Sequence, residues 1–212
     1  MSNDRPQIDY YFSFISLWSY VGSLVFQDVV KRHDAQVTFK PIELLKVFAA
    51  DGGKPVRERP AQRQAYRLVE MQRWSRKRNI PLTLQPKFYP ADPSRGHRML
   101  LAAARDGQDV TAFAHAGLKA VWADELDIAD ASTLIALADR NWLDGAALLA
   151  AADDPALHEW EAALTREAID RQLFGAPFYF YRDEPFWGQD RLEHLDEALS
   201  TKAAPIPLPR VE

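Results

Sequence analysis

The chain contains no cysteine in its 212 residues. That absence excludes structural disulfides, thiolate metal sites and a thiol nucleophile of the protein's own, so any sulfur chemistry has to be brought by a cofactor. Disulfide exchange is excluded on the same ground, because it needs a protein cysteine pair. Basic residues are the minority, 26 against 30 acidic, and the formal net charge of −4 provides no global positive field to draw nucleic acid or an anionic membrane. No run of about 18 uninterrupted apolar residues occurs that would suit a bilayer. Met1 to Pro6 lacks the apolar segment of a secretion signal. The expectation is a cytoplasmic protein acting on a small molecule, with neither nucleic acid nor membrane as partner. Its five histidines, His33, His97, His115, His158 and His194, lack the one-turn pairing of a metal-binding helix, and no metal is assigned.

What is present is ample core material, 47% hydrophobic, enough for one large domain or a small one carrying an insertion. Ile8 to Ile15 is dense in Tyr, Phe and Ile without a polar face, the pattern of a strand buried on both sides. Ser16 then precedes a helical stretch from about Ser19 to His33, with Tyr20, Leu24, Val25 and Val29 at helical spacing. Gln36 to Pro41 alternates, Val37 and Phe39 on one face, so the opening reads as two parallel strands joined by a helical crossover.

From Ile42 to about Arg171 helical periodicity prevails. The clearest helices are Ala61 to Arg78, His97 to Ala104, Val110 to Trp122, Ala131 to Ala138, Leu143 to Ala151 and Pro155 to Gln172, with Asp130 and Asp154 as caps. The proline-rich stretch Ile80 to Ser94 reads as a surface loop. Strand character returns at Pro177 to Tyr181, with a turn at Asp183 and Glu184 and a return strand from Pro185 to Trp187. Gly188 to Ser200 reads as a last helix, and Lys202 to Glu212 as an extended or partly disordered tail. The order predicts an α/β domain, residues 1–42 and 172–212, split by an inserted helical domain, residues 43–171.

Three short motifs carry candidate chemistry. Ser16-Leu17-Trp18-Ser19 lies where a strand ends and a helix begins, where free N–H groups and the helix dipole favour an anion such as a thiolate. The plainer reading makes either serine a routine cap. Gly175-Ala176-Pro177-Phe178 opens the returning strand, either as an ordinary edge proline or with a cis bond that frees the N–H and C=O of Ala176 for a peptide-like ligand. Trp187-Gly188-Gln189-Asp190 offers an amide and a carboxylate that suit an amino group or a helix cap.

One stretch is conspicuously basic, with Arg57, Arg59, Arg63, Arg67, Arg73, Arg76, Lys77 and Arg78. Most of it reads as a solvated helix face, with Arg63 and Lys54 singled out to hold carboxylates. Trp18, Tyr20, Phe48 and Trp187 are candidate walls of an apolar substrate pocket, or simply core.

The opening IDYYFSFISLWSY and the closing FGAPFYFYRDEPFWGQDRLEHL, with QAYRLVEMQRWSRKRNIPL, Asp127-Ile128 and LTREAIDR between them, resemble the 2-hydroxychromene-2-carboxylate isomerase family over nearly the whole chain. That family is similar to kappa-class glutathione transferases and to DsbA-like oxidoreductases. The resemblance implies a thioredoxin-like fold with a large all-helical domain inserted, glutathione as cofactor and a homodimer. It implies interconversion of 2-hydroxychromene-2-carboxylate and trans-o-hydroxybenzylidenepyruvate, or of a related intermediate of aromatic-compound degradation.

By the same resemblance Ser16 is the catalytic serine that meets the glutathione sulfur, and Ser16 and Ser19 stand where redox relatives have cysteines. Ala176, before a cis-Pro177, pairs with the glutathione backbone, Gln189 and Asp190 hold its γ-glutamyl end, and Lys54 and Arg63 complete the cofactor site. The chain departs from the family pattern at Leu17 for proline, Gly53 for asparagine, Arg63 for lysine and Leu164 for asparagine. A glutathione transferase acting on another electrophile and a non-catalytic glutathione- or peptide-binding protein stay open as alternatives.

Overall fold

Strand β1 (Gln7–Phe12) runs through the interior with Ile8, Tyr10 and Phe12 buried on one face; the other face, expected to be apolar, carries Gln7 and Asp9 beside the buried Tyr11. The structure, a computed structural model, describes residues 5–209. Helix α1 (Leu17–Arg32) leads to β2 (Gln36–Pro41), which lies parallel to β1 with Gln7 opposite Gln36 and Phe12 opposite Pro41. The helix starts two residues before the predicted point, because Ser16 caps it. Its buried face carries Tyr20, Gly22, Ser23, Phe26 and Val29, while Leu24 is exposed. Gly22 and Ser23 lie inward because they are small. A Cβ on Gly22 would stand 2.7 Å from Cβ of Gln189, so only glycine permits this approach of helix to chain.

Seven helices follow: α2 (Leu44–Ala50), α3 (Ala61–Arg78), α4 (Ser94–Arg105), α5 (Thr111–Trp122), α6 (Ala131–Asp139), α7 (Gly145–Ala151) and α8 (Pro155–Asp170). Helix α2 is too short to declare a period in sequence. Asp130, Asp144 and Asp154 cap α6, α7 and α8, each carboxylate accepting a backbone N–H at 2.8–2.9 Å. The segment from Ile80 to Ser94 runs over the surface as expected, with Pro86 alone buried, and is pinned to the core at two points. Thr83 N–H donates to the Trp122 carbonyl at 2.7 Å, and Tyr89 packs on the Trp122 ring with centroids 4.6 Å apart.

Strands β3 (Phe178–Tyr181) and β4 (Glu184–Trp187) complete a sheet of order β2-β1-β3-β4, with β3 antiparallel to both neighbours. The hairpin turn is Arg182-Asp183, one residue before the predicted one, and both residues take positive φ, 53° and 65°. That geometry matches the twist of a two-residue hairpin. A 3₁₀ turn (Gln189–Arg191) leads into α9 (Leu192–Thr201). The tail from Ala203 to Pro209 has no regular structure, and residues 210–212 of its predicted span lie outside the described residues. Among the described residues no helix is long and apolar enough to cross a membrane.

Sheet and helices share one hydrophobic cluster, reaching from Ile8 and Phe12 to Phe113, Leu134 and Leu164. On the outer face of β1 a polar knot ties α8 to the sheet. Lys40 Nζ bonds Asp9 at 3.0 Å and Glu167 at 2.7 Å, Arg171 bonds Asp9 at 2.8 Å, and the Tyr11 hydroxyl donates to Glu167 at 2.6 Å. Burial, with that bond to Glu167, pushes the Tyr11 phenol up to about 12.

Just past β1, Phe14 fills the space between α4 and α5. A Cβ on Gly96 or on Gly117 would each come within 2.7 Å of its ring. Replacing Gly117 by alanine forces the ring to shift and should lower unfolding free energy by roughly 1–3 kcal/mol. Urea titration measures this, and an unchanged midpoint would show that the Phe14 slot yields freely.

Candidate active site

Ser16 ends the turn after β1 and begins α1. Its Oγ accepts the Ser19 N–H at 3.2 Å as the helix cap, and its hydroxyl donates to the Ala176 carbonyl at 3.1 Å. The first two helical N–H groups, of Leu17 and Trp18, have no acceptor among the described residues. The peptide between Ala176 and Pro177 is cis. The Ala176 N–H has no acceptor among the described residues, whereas its carbonyl is engaged by Ser16 rather than free as the sequence reading had it.

A cleft of about 240 Å³ opens over this junction, lined by Trp18, Trp74, Ala176, Trp187, Gln189 and Asp190, with Glu70, Gly188 and Arg191 at its edges. Strand β4 delivers Trp187, half exposed, with its ring edge-on to Phe174 at 4.6 Å. Gly188 then turns the chain with φ +97°, and a Cβ there would stand 2.7 Å from Oδ1 of Asp190. The other carboxylate oxygen of Asp190 pairs with Arg191 at 2.7 Å. Gln189 is buried, and its side-chain oxygen is taken by Arg78 Nη2 at 3.0 Å.

A second cleft of about 380 Å³ adjoins the first through Trp18 and Glu70, and is walled by Tyr66, Arg59, Arg63 and Arg67. Arg67 turns inward, its guanidinium 5.4 Å from the Trp122 ring centre and 3.2 Å from the Met71 sulfur. Burial holds its pKa below the usual guanidinium range.

Ser16 itself does not line the cleft. It sits beneath, in contact with Ala176, and Pro177 is buried behind it. Lys54, Tyr20 and Phe48 line neither cleft. Lys54 is exposed, Tyr20 is buried with its hydroxyl on the Pro81 carbonyl at 2.7 Å, and Phe48 lies under Arg59 at 5.5 Å. Ser19 is fully buried and likewise lines neither cleft.

Behind the turn lies a buried relay. His97 Nε2 accepts the Phe14 N–H at 3.2 Å, with the Ser13 hydroxyl also at 3.2 Å, and Nδ1 faces Glu161 at 2.8 Å. A backbone N–H can only donate, so Nε2 is the acceptor and the ring hydrogen sits on Nδ1. Arg98 balances Glu161 from its other side at 3.2 Å. Although Ser, His and Glu follow one another as in a nucleophilic triad, His97 is completely buried and no substrate reaches it. The relay instead fixes the strand end whose Ser13 carbonyl receives the Ser16 N–H at 2.8 Å.

The DSBA-like thioredoxin domain family matches residues 7–200. The 2-hydroxychromene-2-carboxylate isomerase of Sphingobium xenophagum is 31% identical over 195 residues, 91% of this chain and 97% of that protein. The chain belongs to the DSBA-like thioredoxin family and, within it, to the 2-hydroxychromene-2-carboxylate isomerase family. A solved 2-hydroxychromene-2-carboxylate isomerase superposes with a TM-score of 0.80 at 26% identity, covering 92% of this chain and 94% of that one. A cytosolic disulfide reductase of Pseudomonas aeruginosa, solved with GSH, shares the fold at a TM-score of 0.66 and 16% identity, covering 92% and 99%.

In this DSBA-like chain several cleft residues escape a reading by short motif. Arg67, Glu70 and Trp74 follow the rise of α3 along one stripe, which Arg78 extends to Gln189, a spacing that the sequence displays but a basic composition hides. Replacing Glu161 by glutamine removes the charge facing Arg98 in a buried setting, and should cost about 3 kcal/mol or more. Chemical denaturation measures the loss. A variant as stable as the parent would mean that the relay does not hold the turn.

Proposed function

We propose that the protein is a glutathione-dependent isomerase interconverting 2-hydroxychromene-2-carboxylate and trans-o-hydroxybenzylidenepyruvate, or a related intermediate of aromatic degradation. The observation that carries the reading is the meeting of three features in or directly beneath one cleft, in a chain of this isomerase family. These are a serine-capped helix start with two unspent N–H groups, the unspent N–H of Ala176, and the carboxylate of Asp190. They suit a peptide with a thiolate, a backbone and an amino group. The fold is also one in which a reductase was solved with GSH.

Bound glutathione supplies the sulfur nucleophile whose reversible addition to a conjugated double bond permits rotation about it. The chain's own residues bind and orient. Ser16, whose hydroxyl here bonds the Ala176 carbonyl, would hold the sulfur, and Ala176 would pair with the cofactor backbone. The N–H groups of Leu17 and Trp18, at the positive end of α1, favour the anionic sulfur. Each unit of pKa lowering there corresponds to about 1.4 kcal/mol.

Asp190 takes the amino group, while Gln189 acts through its backbone and its bond to Arg78 rather than through a free side-chain oxygen. Arg63 is placed for a cofactor carboxylate, and Trp18 and Trp187 wall the substrate. Lys54, Tyr20 and Phe48 are given no direct contact. The reading carries with it a cytoplasmic homodimer. Its frame is a thioredoxin-like part, residues 1–42 and 172–212, divided by the helical part, 43–171, which supplies α3.

Calorimetric binding of glutathione, with an ultraviolet assay of 2-hydroxychromene-2-carboxylate, tests the proposal on the parent, Ser16→Ala and Ser16→Gly. Glycine is tolerated as a helix cap to within a few tenths of a kcal/mol, so it separates the cap from the sulfur contact. Turnover that requires glutathione and falls about tenfold or more in both variants is expected from loss of one charge-assisted bond. A parent that binds no glutathione sinks the proposal.

A further inference from the structure

The cleft beside α3 gathers the guanidiniums of Arg59, Arg63 and Arg67, and its only carboxylate, on Glu70, is bound to Arg73 at 2.7 Å. None of the three arginines has an acidic partner among the described residues. Arg59 is steadied instead by the Lys54 carbonyl at 2.8 Å and the Phe48 ring, and Arg67 by Met71 and the ring of Trp122. Both are thus anchored by neutral contacts, with N–H groups left over. Cations gathered in a partly desolvated cleft repel one another unless an anion joins them. A guanidinium fork matches a carboxylate in two parallel bonds. Trp18 and Tyr66 add flat apolar walls beside these charges.

We infer that Arg67, supported by Arg59, forms a specificity subsite for the carboxylate of an aromatic 2-oxo acid whose ring lies between Trp18 and Tyr66. Arg63, nearer the solvent, is left for the cofactor. The inference depends on the isomerase reading only in taking this acid to be the substrate. The subsite itself follows from the unpaired guanidiniums and the aromatic walls. Trp18 belongs to both clefts, so an acid held by Arg67 lies next to the mouth above Ala176 and Ser16.

The test is calorimetric binding of phenylpyruvate and of its methyl ester to the full chain, first without glutathione and then with glutathione at saturation. The parent is expected to bind the acid and not the ester, and to keep the acid when glutathione is present. Arg67→Gln should weaken the acid about tenfold or more, with Arg67→Lys recovering part of the loss. Arg59→Gln, at a less buried position, should weaken it to a smaller extent, and it preserves the test if Arg67→Gln fails to fold.

Equal binding of acid and ester, no binding of the acid by the parent, or an unaltered affinity in Arg67→Gln would overturn the subsite. Displacement of the acid by glutathione would instead assign these arginines to the cofactor, and would overturn it too. The chromene assay separates this result from the isomerase reading. Arg67-dependent binding without turnover keeps the subsite and loses the isomerase, whereas turnover with unchanged KM in Arg67→Gln does the reverse.

Discussion

The hydrogen bond from Ser16 to the Ala176 carbonyl joins two points 160 residues apart in sequence, the start of the first helix and the entry to the returning strand. Its own contribution is about 1 kcal/mol. Its importance lies in what must be in place for it to form. The four residues from Ser13 to Ser16 draw on four different parts of the molecule. Ser13 and Phe14 meet His97 of α4, His97 is held by Glu161 of α8, Phe14 fills the gap beside Gly117 of α5, and Ser16 reaches Ala176. The helical segment therefore stiffens the turn on which the proposed chemistry depends, as well as supplying one wall of the cleft.

Charge is distributed along the site in a way that the overall composition conceals. The chain is acidic as a whole, yet the joined clefts run from the carboxylate of Asp190 at one end to three guanidiniums at the other. The acidic end suits an amino group and the basic end carboxylates, with the positive start of α1 between them. Trp18 and Trp187, both reaching the cleft over Ala176, lower the local polarity, and that strengthens each of these interactions.

Much of this was legible in the sequence because it is local. The strand–turn–helix around Ser16 declares itself by an apolar run followed by a helical period. The Ala-Pro entry to the returning strand marks the opposite side of the junction. What was not legible is long-range. Leu24 has the spacing of a core residue but faces out, since Gly22 and Ser23 bring the other side of α1 into contact with Gln189 and His115. Tyr20 and Phe48 are aromatic residues near the motif in sequence, yet packing turns them away from the clefts. Arg67 looked like one more charge on a solvated face until Trp122, 55 residues on, proved to lie beneath it. The engagement of Gln189 by Arg78 could likewise be found only once α3 was placed against the 3₁₀ turn.

The central claim is that the start of α1 and Ser16 hold an anionic sulfur. The most direct measurement is a pH titration of the ultraviolet absorbance of the thiolate of protein-bound glutathione. A bound thiol that ionises below the free thiol, whose pKa is about 8.5–9, with the shift largely lost in Ser16→Gly, is the result predicted here. A bound thiol that ionises at its free value in the parent would contradict the account.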